Sequence, residues 1–300
     1  MGVFWQDVKY GIRMLAKSPG LTLAAVLSLA LGIGANSTVF TWAQAFLFQP
    51  LPGVPEQSRI VSMSTSWQDG KQCCGSTSYP DYRDYRDRNT TLEGLLASDM
   101  EGVSLSHEGR AERAWASTVT GNYFDVLHLR PAAGRFFLPE EDRTPGTHPV
   151  VVLSHAFWQR RFGGDAGIVN QNITINEKPF TVVGVAPEKF QGTEVAIGLD
   201  LFMPMAMIAT SQGDAGRLEA RGNHWMDMLG RLKPGVTIEQ ARADFARISA
   251  DLAREFANSN EGKAAVLDPL WRAKNSATEH LGPVLGVLMG VVALVLLIAC

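Results

Sequence analysis

Charge is missing over one long interval: no Asp, Glu, Lys or Arg stands between Lys17 and Glu56. Such a stretch is not a solvated surface. The run 21–48 is mostly Leu, Ala, Val, Ile, Phe and Gly. As a helix its roughly 28 residues would reach about 42 Å, more than the roughly 30 Å of bilayer hydrocarbon. A second charge-free run, 281–300, is still apolar at Cys300. These runs predict a transmembrane helix over 21–48 and the start of a second over 281–300, with more sequence following in the complete protein.

Catalytic signatures are also absent. The chain has three cysteines, and the adjacent pair Cys73-Cys74 fits neither a C-x-x-C motif nor zinc-ligand spacing. None of the six histidines shows H-x-x-x-H or H-E-x-x-H spacing, and no G-x-S-x-G is present. His148 and His155 only bracket a predicted strand, and Ser154-His155 are mere sequence neighbours. No G-x-x-x-x-G-K-[ST] phosphate loop occurs, so any ATP must be bound and hydrolysed elsewhere. The balance of 27 basic against 30 acidic residues offers no nucleic-acid surface.

Ala43-Gln44-Ala45 has the form read by signal peptidase. Signal peptides, however, carry apolar cores of about 7–15 residues, and here a longer apolar run precedes that site. The segment therefore reads as an uncleaved anchor. Lys9, Arg13 and Lys17 precede it, and in the twenty residues after it only Arg59 is basic, which predicts a cytoplasmic N-terminus. Within 1–17, Val8, Ile12, Leu15 and Ala16 lie among basic residues, a pattern suited to the inner headgroup layer.

Between the two runs, 49–280 reads as a water-soluble module on the far side of the membrane. Residues 59–66 alternate like a strand. Ser78 and Asp81 predict a capped helix over 79–88, and strands 95–106 and 111–120 follow around a turn at 107–110. A comparable unit closes the module: a strand over 225–232, a Lys233-Pro234-Gly235 turn, a capping box of Thr237 with Gln240, and a strand over 264–271. Ile238, Ala241, Phe245, Ile248, Leu252 and Phe256 recur at helical spacing. Arg242, Asp244, Arg247, Asp251 and Arg254 make up the polar face of that helix. The middle block, 121–223, is richer in strand. It holds a strand at 149–153, a helix at 154–162 stopped by Gly163-Gly164, and a hairpin around Glu177-Lys178-Pro179. The simplest architecture joins the flanking units, 49–120 and 224–280, into one α/β subdomain that carries the middle block as an inserted lobe.

Eight strings resemble, in order, the MacB/FtsX family of ABC-transporter permeases. They are the amphipathic start 5–17, Leu31-Gly32-Ile33-Gly34-Ala35-Asn36, Gly121-Asn122-Tyr123-Phe124-Asp125-Val126-Leu127, Gly134-Arg135-Phe136, the runs 157–165, 180–185 and 230–237, and the closing Leu297-Ile298-Ala299-Cys300. The resemblance implies an elbow helix over 1–17. It also implies a membrane α-helical protein with an α+β periplasmic domain, made of a porter-like subdomain and a β-rich inserted lobe. By the same resemblance, a separate cytoplasmic ATPase binds ATP and Mg and this chain holds no cofactor. The permease sits in the bacterial inner membrane and pairs as a homodimer or pseudo-dimer among lipid, with room for a periplasmic adaptor. Its stroke reaches the periplasm by mechanotransmission and exports or extracts an amphiphile.

In that setting Asn36 is a candidate for hydrogen bonding between membrane helices. Gly282, Gly286 and Gly290, at G-x-x-x-G spacing, are candidates for close helix contact. Phe245, Ile248 and Leu252 are expected to seat the long helix that transmits the stroke. The alternative is a non-transporting signal transducer like FtsX that activates a cell-wall enzyme. A membrane-anchored enzyme is disfavoured by the missing catalytic set.

Overall fold

A computed structural model describes residues 51–67, 76–107, 109–194, 197–213 and 215–270, with scattered positions between 5 and 41 and at 286, 287 and 290. The chain divides into two compact units, Met1–Gln49 with Ser276–Cys300, and Pro50–Asn275. In the first, the described positions from Trp5 to Thr41 are helical apart from Ser18, and so are Gly286, Val287 and Gly290. Thr38 and Thr41 donate their hydroxyls at 2.8 Å to carbonyls four residues back, so the helix backbone absorbs both polar groups. Among the described residues no helix is long and apolar enough to cross a membrane. Most of the predicted spans 21–48 and 281–300, including Asn36 and Gly282, lies outside the described residues, as does Cys73-Cys74.

The second unit is mixed α/β. Its described strands are β1 (Ile60–Trp67), β2 (Leu92–His107), β3 (Arg110–Val119), β4 (Ala133–Gly134), β5 (Val150–Leu153), β6 (Asn172–Ile175), β7 (Lys178–Val185), β8 (Leu201–Pro204), β9 (Asp227–Leu232) and β10 (Lys263–Pro269). They form one sheet in the order β10-β1-β9-β2-β3-β8-β5-β7-β4, with β6 bridging β2 and β7. The β3/β8 and β5/β7 pairs are parallel and the others antiparallel. Three longer helices pack on the sheet: α1 (Tyr79–Arg88), α2 (His155–Phe162) and α3 (Ile238–Glu255).

Local chemistry sets the helix ends where the sequence marks them. Ser78 and Ser154 accept N-cap bonds from Asp81 and Phe157, and Gly163, in left-handed backbone, ends α2. Thr237 and Gln240 close a reciprocal capping box on α3.

Three particulars differ from the sequence reading. The β6/β7 hairpin turns at Asn176-Glu177, both with positive φ, and Pro179 lies inside β7 opposite Thr174. A two-residue turn with two left-handed positions matches strand twist, and Asn tolerates that backbone better than the Pro-containing triplet could. Leu201–Pro204 is a fully buried strand that four apolar residues did not announce. Asp244, read as part of the polar face, is nearly covered. It accepts from the Thr90 amide at 2.7 Å and from the Thr90 and Thr91 hydroxyls, because the chain leaving the end of α1 at Asn89 carries those donors over it.

Three apolar clusters fill the unit. One gathers Tyr123, Phe124, Phe137, Phe190 and Phe202 with Leu51 and Val54. A second lies under α1 and α3, and a third under α2 and the β2/β3 tip.

Candidate functional site

Both ends of the second unit meet in the sheet. β1 pairs with β10 over seven register positions, from Val61 opposite Pro269 to Trp67 opposite Lys263. β1 also pairs with β9 from Ile60 opposite Arg231 to Met63 opposite Met228. The first and last strands of the unit are therefore neighbours in the sheet.

Helix α3 braces those strands. Ala241, Phe245, Ile248 and Leu252 are fully buried, while Ile238 and Phe256 are half-buried at the ends of the same stripe. The Phe245 ring stacks on Tyr85 of α1 at 5.4 Å. The Ser249 hydroxyl meets the Tyr85 hydroxyl at 2.9 Å, donates to the Phe245 carbonyl and accepts from the Ala265 amide of β10. One oxygen thus ties α1, α3 and β10, and burial pushes the Tyr85 phenol up to about 12. Arg242 reaches across to the Leu267 carbonyl and Asp268.

Arg221, on the segment returning to β9, closes the other side of α1. Its guanidinium bonds Asp81 and Asp84, at 2.6 Å to Asp84, and lies 3.7 Å over the Phe256 ring. Asn260 donates to the same Asp81 carboxylate at 2.9 Å, and Arg88 bridges Asp84 to Glu255.

Several of the family-like strings converge in space. Phe124 stacks on Phe136 at 4.0 Å, and Arg135 forks onto Glu141. Gly184 lets β7 approach closely: a Cβ there would lie 2.1 Å from the Arg135 carbonyl. Arg231, from the 230–237 string, donates to the Val126 carbonyl of the 121–127 string at 2.6 Å. Sequence reading missed Arg231 and Arg221 as structural joints. A lone cation inside the apolar run Met228-Leu229-Gly230-Arg231-Leu232 was the available signal for the first; the loop holding Arg221 offers none.

A cleft of about 390 Å³ opens between α1 and the segment 137–143, with Tyr79, Arg86, Asp125, Phe137 and Arg143 on its walls. Asp142 on the same wall accepts amides from Gly121 and Ala206, at 2.6 and 2.8 Å. Burial nonetheless outweighs those bonds and pushes its carboxyl up to about 6. Among the described residues no group of His, Cys, Asp or Glu is placed to hold a metal ion. Gly286 and Gly290 are helical with open space where a side chain would stand.

Glu194 carries a pH signature. Burial, reinforced by like charge on Asp227 and Asp99, pushes its carboxyl up to about 7 from an ordinary 4.5. A carboxyl that holds its proton more tightly when folded stabilises the folded state at low pH. That stability falls as pH rises from near 4.5 through about 7. Glu194→Gln should therefore raise the melting temperature of the full-length protein at pH 8 and leave it unchanged at pH 4. An equal gain at both pH values would show that protonation is not the cause.

The 50–275 unit is thus a mixed α/β domain whose first and last strands lie side by side. Its fold matches the crystal structure of the periplasmic region of MacB from Actinobacillus actinomycetemcomitans, with a TM-score of 0.52 and 13% identity over 71% of this chain and 90% of that one. A 64-residue stretch is 42% identical to the macrolide export ATP-binding/permease protein MacB of Nitrosomonas europaea, covering 21% of this chain and 9% of that protein. A 91-residue stretch is 35% identical to the uncharacterized ABC transporter permease YvrN of Bacillus subtilis, covering 30% of this chain and 22% of that protein. The matches thus span between 9% and 22% of the curated relatives' length. The family model of the MacB-like periplasmic core domain matches residues 22–248, and the chain belongs to that family.

Proposed function

We propose that this chain is the permease subunit of a MacB-like ABC transporter, anchored in the inner membrane with the 50–275 unit in the periplasm. A separate cytoplasmic ATPase binds ATP and Mg. Its closure moves the membrane helices, and the periplasmic unit converts that movement into export or extraction of an amphiphile. The observation that supports this reading is the seven-residue β1/β10 pairing, which makes the first and last strands of the unit neighbours. Relative movement of two helices is then delivered to one pair of strands, which α3 and α1 hold as a plate. Asn36 and the glycines 282, 286 and 290 would serve helix contact within a dimer of permeases, with an adaptor docking on the periplasmic face.

The test is purification. Tagged full-length protein, extracted in mild detergent from its own host, should bring down an ABC ATPase and show vanadate-sensitive ATP hydrolysis. A preparation without any ATP-hydrolysing partner would remove the transporter reading. Hydrolysis with no export of any amphiphile in proteoliposomes would favour the signal-transducing alternative.

A further inference from the structure

The long helix α3 packs into the cluster under α1, which takes in Met205 and Ile208 of the middle block but not the block's aromatic cluster. Phe245, Ile248 and Leu252 belong to the cluster under α1, whereas Phe124, Phe137, Phe190 and Phe202 form another. The block's aromatic cluster is also reached by a contact that does not involve α3. The lead-in segment 50–59 makes that contact directly. Leu51 and Val54 are buried in the same cluster as Phe190 and Phe202. Gly53, at φ +85, lies so close that a Cβ would stand 3.1 Å from Lys189 Cβ and 3.3 Å from the Phe190 nitrogen.

Arg231 fastens this contact. Its side chain is fully buried on β9, donating to Val126 O at 2.6 Å and to Pro55 O at 3.2 Å from each terminal nitrogen. No carboxylate meets it among the described residues. A buried guanidinium held only by carbonyls is an expensive way to fill space, and an apolar side chain would pack there at less cost. What it supplies is direction: three segments far apart in sequence are held at fixed angles by one rigid fork. A second set of bonds fastens nearly the same three pieces on the surface. Arg59 donates to the Leu232 carbonyl and pairs with Glu56 and Glu93, and Glu93 meets His128 just beyond the 123–126 turn.

We propose that Arg231 is a positioning residue that couples the lead-in segment 50–59 to the middle block 121–223, so that displacement at the start of β1 tilts the block. The assignment rests on the transporter reading above. In it α3 keeps the plate rigid, and Arg231 passes the plate's movement outward through Val126, Phe124 and the Phe124–Phe136 stack.

The experiment uses the full-length permease with its ATPase in nanodiscs, with its native cysteines, Cys73, Cys74 and Cys300 among them, replaced by serine. Spin labels at Glu239→Cys on α3 and Lys178→Cys on β7 report the distance between plate and block, with and without ATP plus vanadate. The parent should show a nucleotide-dependent shift. Arg231→Gln should hydrolyse ATP as the parent does and lose the shift. Arg231→Lys keeps the charge but can bond only one of the two carbonyl positions well, and should show a reduced shift while still hydrolysing ATP as the parent does. A full shift in either variant overturns the assignment, and if Arg231→Gln fails to fold, the lysine variant decides. A parent that hydrolyses ATP without any shift also overturns it, whereas a parent with no ATPase at all removes the underlying transporter reading.

Discussion

Phe245→Ala is expected to cost the 50–275 unit about 3–5 kcal/mol, a large fraction of the roughly 5–15 kcal/mol that holds a domain folded. The ring is fully buried, and its removal leaves a hole against Tyr85 at the point where α1 and α3 clamp the sheet. The Ser249 knot then loses the packing that keeps its three partners in register. In the full-length complex reconstituted with its ATPase, export should be lost and ATP hydrolysis largely kept at matched protein levels. Side-by-side assays decide the matter. Equal loss of both activities, or no loss of either, would take α3 out of the transmission path.

Arg221→Ala should be nearly as damaging, at about 3 kcal/mol, because it removes one partner of a mostly buried ion pair and leaves the Asp81 carboxylate to Asn260 alone, while Asp84 keeps Arg88. For a unit of this size that corresponds to a fall of roughly 6–12 °C in melting temperature. Arg221→Lys should recover only part of the loss, since an ammonium cannot serve both carboxylates and cover the Phe256 ring at once. Thermal melts of the three proteins at one pH test this. A melting temperature within 2 °C of the parent, about the effect of a single weak contact, would mean that Asn260 alone compensates Asp81.

Much of the periodic structure was legible because local rules governed it. Ser78, Ser154 and Thr237 cap helices by bonding amides within their own first turn, and the α3 stripe buries as its spacing requires. The succession of strand and helix along the two flanking segments followed from the same signals, whereas their order in the sheet did not. What stayed hidden depended on distant residues. β8 is a strand because β3 and β5 lie on either side of it, and its four residues alone could as well begin a helix. Asp244 is covered because α1 ends above it. Arg231 is visible in sequence only as an odd cation in an apolar strand, since its acceptors Val126 and Pro55 lie over a hundred residues away. The eight family-like strings marked the right places without saying that several of them touch.

The pairing of the first strand with the last two also dictates when this unit can fold. β1 has β9 on one edge and β10 on the other, and both are made only after the whole middle block has been synthesised. Until then β1 waits with both rows of amides and carbonyls open, an alternating strand of the kind that recruits other chains. Contacts of such long sequence separation form slowly, in milliseconds to seconds, and the interval favours aggregation over folding. The hairpins β2/β3 and β6/β7, closed by short turns, can assemble early and locally. Biogenesis would thus proceed from the middle outward, with the plate that receives the stroke completed last.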